Sequence, residues 1–120
     1  MLKGVVYQNK PLIALVVGWH QSVQEIVALI DTGFTGELKI PPKKVAELGL
    51  EISHTEPVSL ANEEIVHWDA ALAEVSMENT VHVVSVLVGR GIPLVGVGLL
   101  KRFRYSLYID FPHDTLTLQR

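Results

Sequence analysis

The chain has 120 residues, of which 48% are hydrophobic and 19% are charged. This length and composition predict one globular domain with a real core and exclude a disordered protein. The net charge of −3, with no long basic run, argues against a nucleic-acid partner, and the lack of cysteine excludes disulfides and thiolate sites. Its apolar stretches are too short to span a bilayer, so we expect a cytoplasmic protein without a membrane partner.

Apolar, β-branched segments separated by turn residues predict strands along most of the chain. In chain order these segments are 4–8, 12–18, 23–30, 37–40, the two arms of a hairpin within 57–76, 80–88, 105–111 and 115–118. A helix is predicted over 41–49, because prolines open this segment, Val45 and Leu48 stand three residues apart, and Gly49 can form a C-cap. A second short helix is predicted over 96–102. This pattern predicts an all-β fold, arranged as a small closed or sandwich-like barrel.

The triplet Asp31-Thr32-Gly33 comes directly after the apolar run 26–30 and occurs once in the chain. A buried strand that ends on a carboxylate and then a glycine holds that acid rigidly at the strand end. Taken alone, the triplet favours a simple turn in which the aspartate accepts backbone N–H groups. A second apolar segment, Leu94-Val95-Gly96, lies about 60 residues further on and favours the functional interpretation.

A single aspartate is a poor catalyst of amide hydrolysis, whereas two neighbouring carboxylates that share one proton can act as base and acid together. Since the chain has one such triplet, the partner of Asp31 is expected from a second copy, across a two-fold axis. In that arrangement the Thr32 hydroxyl can tie the two loops together, and Gly33 lets a substrate backbone approach closely. The five histidines are dispersed and lack metal-ligand spacing, so neither metal nor cofactor is predicted.

The segment 28–33 resembles the active-site signature of the retropepsin-like (clan AA) aspartic proteases. The overlapping segment 31–36 is similar to a small prokaryotic branch in which phenylalanine follows the glycine. The resemblance covers nearly the whole chain, as a single retropepsin-like aspartic protease domain over residues 1–120. It implies an acid protease barrel with one or two short helices, working as a two-fold symmetric homodimer on polypeptide substrates.

The resemblance also implies roles for individual residues. Asp31 is catalytic, Thr32 makes an inter-subunit hydrogen bond, and Gly33 contacts the substrate backbone. The hairpin at 57–71 corresponds to the family's flap, and the closing strand at 116–118 is a candidate interface element. The expected substrate-binding residues lie in the loop and at the flap tip: Gly33, Phe34, Ala61, Asn62 and Glu63.

Three features depart from the family pattern. Phe34 stands where alanine or serine is usual, Gly98 stands where an acidic or amide residue is common, and the tip at 61–64 has no glycine. The acidic tip disfavours acidic peptides. The predicted function is an aspartic endopeptidase; the alternatives are a dimeric peptide-binding module on the same fold and a plain barrel scaffold whose triplet is only a turn.

Overall fold

The computed structural model describes residues 1–59 and 62–120, which form ten strands and two short helices. The elements in chain order are β1 (Leu2–Tyr7), β2 (Lys10–Trp19), β3 (Ser22–Ile30), β4 (Leu38–Ile40), α1 (Pro42–Leu48), β5 (Ile52–Ser59), β6 (Ile65–Met77), β7 (Thr80–Val88), β8 (Leu94–Val95), α2 (Val97–Arg102), β9 (Ser106–Asp110) and β10 (Thr115–Gln119). The predicted, mostly β architecture is confirmed.

Six of the strands close into a ring. Neighbouring strands pair in the order β2, β3, β8, β4, β7 and β6, and β6 pairs back onto β2. Outside this ring, β5 pairs with β6, while β1, β10 and β9 continue the sheet from β2. A closed ring is one of the two arrangements, closed or sandwich-like, that the regular strand spacing predicts.

The core fills the inside of the ring, as β2 illustrates. Ile13, Leu15 and Val17 are at most 2% exposed, whereas the alternate residues Ala14 and Val16 face outward. This period of two follows from the strand pleat, which sends successive side chains to opposite faces.

Both helices begin and end where the sequence indicates. Pro42 occupies the start of α1, Val45 and Leu48 are buried, and Gly49 caps the helix with a left-handed φ of 66°. Lys101 lies in the last turn of α2, where a cation favourably meets the helix dipole. Within the described ranges, no helix is long and apolar enough to cross a membrane.

The hairpin made by β5 and β6 is longer than predicted. Its first arm begins at Ile52 rather than at residue 57, with a bulge between Ile52 and His54. The polar run 53–56 lacks the apolar alternation of a strand, and it becomes one because it pairs with β6.

The closing strand β10 was predicted to take part in a subunit interface, and the structure instead places it inside the chain's own sheet. It lies between β1 and β9, so both of its edges are paired within the chain. Leu116 and Leu118 are 1% and 0% exposed because they belong to the chain's own core. The interface expectation for 116–118 is therefore wrong for the backbone edge and for both leucines. Within the described part of the chain, β5 and β9 are the two strands with a single neighbour.

Candidate active site

Asp31 follows the last residue of β3 directly. Ile30 is 4% exposed and pairs with Val95 of the short parallel strand β8. The Asp31 N–H then donates to the Val95 carbonyl at 2.9 Å. The triplet and the segment 94–96 are thus neighbours in the fold, and this hydrogen bond fixes the backbone from which the carboxylate projects.

The carboxylate of Asp31 is half-buried and partly engaged. Its Oδ1 accepts the Gly33 N–H at 2.9 Å, which is the local turn that the triplet permits. Among the described residues no hydrogen-bond partner is found for Oδ2. The turn and the catalytic interpretation are therefore compatible, because the turn orients one oxygen and leaves the other for a ligand.

The loop 31–37 is attached to the start of α2 by three consecutive backbone hydrogen bonds. The first N–H groups of a helix have no partner inside the helix and need one elsewhere. The bonds run from Gly96 to the Glu37 carbonyl at 3.0 Å, from Val97 to the Phe34 carbonyl at 2.9 Å and from Gly98 to the Gly36 carbonyl at 3.0 Å. The loop carbonyls thus accept hydrogen bonds from the N–H groups at the helix start, and these bonds hold the loop in place.

Two glycines make this approach possible. A Cβ on Gly96 would lie 2.1 Å from the Gly36 carbonyl oxygen, and one on Gly98 would lie 2.9 Å from the same oxygen. Both obstacles are backbone atoms, which cannot rotate away. The glycine at 98, which departs from the family pattern, thus allows close backbone packing, and backbone hydrogen bonds hold the loop there.

Phe34 packs into the loop as well as lining the cleft. A Cβ on Gly36 would lie 2.6 Å from its ring atoms Cε1 and Cζ, and a Cβ on Gly96 would lie 2.7 Å from Cδ2. The ring therefore occupies the space that two glycines leave open. Sequence reasoning missed this relation, although the spacing Phe34-Thr35-Gly36 is the signal that could have found it.

Glu37 fastens the far end of the loop. Its Oε1 accepts the Ser85 N–H of β7 at 3.1 Å, and its Oε2 accepts the Arg102 Nε–H of α2. The Glu37 side chain is 16% exposed, so this ion pair is partly shielded from water. The partners are 48 and 65 residues away in sequence, and no local pattern indicates them.

A cavity of about 320 Å³ opens between the loop and β5. Its lining includes two residues that the sequence predicts as substrate-binding. The lining residues are Gly33, Phe34, Thr35, Gly36, Glu56, Pro57, Val58, Ser59 and Leu87. The cleft thus has the active-site loop as one wall and the first arm of the flap hairpin as the other.

Asp31, Thr32, Asn62 and Glu63 are not among the residues that line this cavity. Thr32 is exposed, and its hydroxyl has no hydrogen-bond partner among the described residues. Asn62 and Glu63 are exposed at the hairpin tip, where the Asn62 side chain accepts the Glu64 N–H at 3.1 Å. Ala61 lies outside the described residues. Across residues 1–59 and 62–120, no group of three or more acidic or histidine side chains is placed to hold a metal.

Residues 16–100 match the aspartyl protease family, and the chain belongs to it. It is an aspartic-type peptidase by family, a class of hydrolases, and the resemblance inferred from the sequence is confirmed. No curated protein sequence is significantly similar to this chain.

Two solved structures show the retropepsin-like fold. EIAV protease, complexed with the inhibitor HBY-793, superposes with a TM-score of 0.67 at 11% identity, over 85% of this chain and 95% of that one. A retropepsin-like aspartic protease from Rickettsia conorii gives a TM-score of 0.62 at 18% identity, over 98% of this chain and 87% of that one.

Proposed function

We propose that this chain is an aspartic endopeptidase that acts as a symmetric homodimer, with one Asp31 from each subunit at the two-fold axis. The observation that carries the proposal is the rigid placement of a single carboxylate at the end of β3, beside a cleft. One chain supplies one such group, whereas water activation by carboxylates needs two that share a proton.

The chemistry follows from that pair. The ionised carboxylate takes a proton from water, and the protonated one donates a hydrogen bond to the scissile carbonyl oxygen. The water oxygen then attacks the carbonyl carbon and forms a C–O bond. The C–N bond breaks, and the leaving amine nitrogen takes up the proton. No covalent intermediate with the protein is formed. Peptide binds between the loop and the flap hairpin, with Asn62, Glu63 and Ala61 expected at the tip.

Thr32 and the dimer are linked in this proposal. Its exposed hydroxyl, without a partner within the described chain, is available to a second subunit. A cytoplasmic location and the lack of cofactor, nucleic-acid and membrane partners stay predictions from the sequence.

The decisive experiment is cleavage of a diverse peptide pool between about pH 4 and 7, the range in which a carboxylate pair can hold one proton. Asp31→Asn is expected to lower the cleavage rate by at least about a thousandfold. Asp69→Asn, the same chemical change on an exposed residue of the hairpin, is the matched control and is expected to keep full activity.

Two further measurements test the dimer. Sedimentation at micromolar concentration should show two subunits, and a tandem fusion in which only one copy carries Asp31→Asn should be inactive. Cleavage by a monomer, or by the fusion at more than a few per cent of the unmodified rate, would contradict the shared-proton mechanism.

A dimeric peptide-binding module is the second candidate. The Phe34 ring, which lines the cleft where smaller residues are usual, and the glycine-free flap tip favour it. This candidate predicts binding without cleavage, and an affinity that Asp31→Asn leaves nearly unchanged.

A further inference from the structure

Charge is divided unevenly along the chain. The segment 45–89 has eight acidic residues and neither lysine nor arginine, so all ten lysines and arginines lie outside it. This segment includes both arms of the flap hairpin. The small net charge of −3 therefore conceals an acidic segment of 45 residues, whose field attracts cationic ligands.

Glu56 brings one of these charges to the cleft. Along β5, His54, Glu56 and Val58 are half-buried, whereas the alternate residues Thr55 and Pro57 are exposed. Among the described residues that line the cavity, Glu56 alone has a charged side chain. Glu56 thus places one negative charge of the acidic segment directly in the lining of the cavity.

The Glu56 carboxylate is held in place from one side. Its Oε1 accepts the Ser85 hydroxyl at 2.5 Å and lies 3.3 Å from His54 Nε2. No partner of Oε2 is found among the described residues, and the side chain is 35% exposed. One oxygen is therefore oriented by the protein, and the other is open to a ligand.

We propose that Glu56 makes this cavity a subsite for a lysine or arginine side chain of the peptide substrate, an inference that rests on the proposed peptidase function. The apolar stem of such a side chain packs against Val58 and Leu87, and its cationic head donates to the carboxylate. An acidic side chain at the same position is repelled.

The test uses one cleavable peptide in which lysine, arginine, norleucine and glutamate are exchanged at each position in turn. At one position we expect about a fivefold preference in kcat/KM for the two basic residues over norleucine, which shrinks at high salt. Glu56→Gln should abolish the preference, so that lysine, arginine and norleucine give similar kcat/KM values at that position. Glu56→Lys should favour glutamate at that position.

Asp69→Asn is the matched control. Asp69 lies on the opposite, exposed face of the same hairpin, and its substitution removes one negative charge, as Glu56→Gln does. It should keep the preference. Ser85→Ala, which removes the hydroxyl donor to Glu56, should reduce the preference in part. Thermal melting of each variant checks that it is folded.

A wild-type protein that cleaves without basic preference, or a Glu56→Gln variant that keeps it, overturns the inference and leaves the peptidase function standing. Equal losses in Glu56→Gln and Asp69→Asn overturn it too, because the preference then belongs to the overall field. If nothing is cleaved, the peptidase function fails, and the affinities of the same peptides test the subsite. Tighter binding of the basic peptides than of the norleucine peptide, lost in Glu56→Gln, supports the subsite. The same ratio of affinities in the wild type and in Glu56→Gln overturns it.

Discussion

The two walls of the cleft are built in opposite ways. The loop 31–37 is joined to the start of α2 by consecutive backbone hydrogen bonds, with glycines at 96 and 98 where a methyl group would collide with backbone. In the flap hairpin, residues 62–65 are exposed, and Glu63 has a positive φ of 68°. The loop 31–37, which we call the rigid wall, thus holds the acid by backbone geometry. The opposite wall, the flap hairpin, is defined by side chains that can change without moving the acid.

The largest expected effect comes from Gly96→Ala, which adds a methyl group between the loop 31–37 and the start of α2. The added Cβ lies 2.1 Å from a carbonyl oxygen, so the loop and α2 must separate. We expect the free energy of unfolding to fall by about 3 kcal/mol, measured by denaturant titration. Peptide cleavage should be lost as well.

Gly33→Ala is the matched control for this change. Its Cβ meets only the Asp31 Oδ1 at 3.2 Å, so the stability loss should stay below about 1 kcal/mol while cleavage falls. A Gly96→Ala variant as stable as the wild type would refute the account of the rigid wall.

A smaller effect is expected from Gly36→Ala, and it depends on Phe34. The new Cβ collides with the Phe34 ring alone, at 2.6 Å, so the cost in the natural sequence should be about 2 kcal/mol. In a Phe34→Ala background the same change should cost less than about 1 kcal/mol. Unfolding of the four proteins in this double-mutant cycle measures the coupling.

Gly96→Ala provides the contrast within that experiment. Its collision is with backbone as well as with the ring, so Phe34→Ala should not rescue it. Additive effects of Phe34→Ala and Gly36→Ala would show that the ring does not occupy the space between the glycines.

The smallest effect is expected at the hairpin tip. Asn62→Ala removes one exposed hydrogen bond, to the Glu64 N–H, and should change the free energy of unfolding by less than about 0.5 kcal/mol. Amide hydrogen exchange should be fast at Glu64 and slow at Val97 in the wild type. If the Glu64 amide exchanged as slowly as the Val97 amide, the flap tip would be as rigid as the active-site loop, and the contrast between the two walls would be refuted.

The sequence predicts features that depend on neighbouring residues. The alternation along β2 and the proline-to-glycine span of α1 are local, and both appear in the structure. The triplet at 31–33 is likewise local, and its context at 94–96 is a recognisable pattern.

The features that were missed depend on residues distant in sequence. Glu37 meets Arg102, and Glu56 meets Ser85, only because β4, β5, β7 and α2 converge in the fold. The early start of β5 was missed for the same reason, since its polar residues become a strand by pairing with β6. Periodicity detects burial along one element, but it does not identify the residue on another element that a polar side chain meets.

The position of β10 also bears on how the barrel forms. Leu2 pairs with Leu118, so the first strand acquires its outer neighbour only after almost all of the intervening chain has been synthesised. Closing so large a loop carries an entropic cost, and folds rich in such distant pairings form in milliseconds to seconds rather than microseconds. Until Leu116 and Leu118 are in place the core is open on that side, and the unpaired edge of β1 is available to other chains.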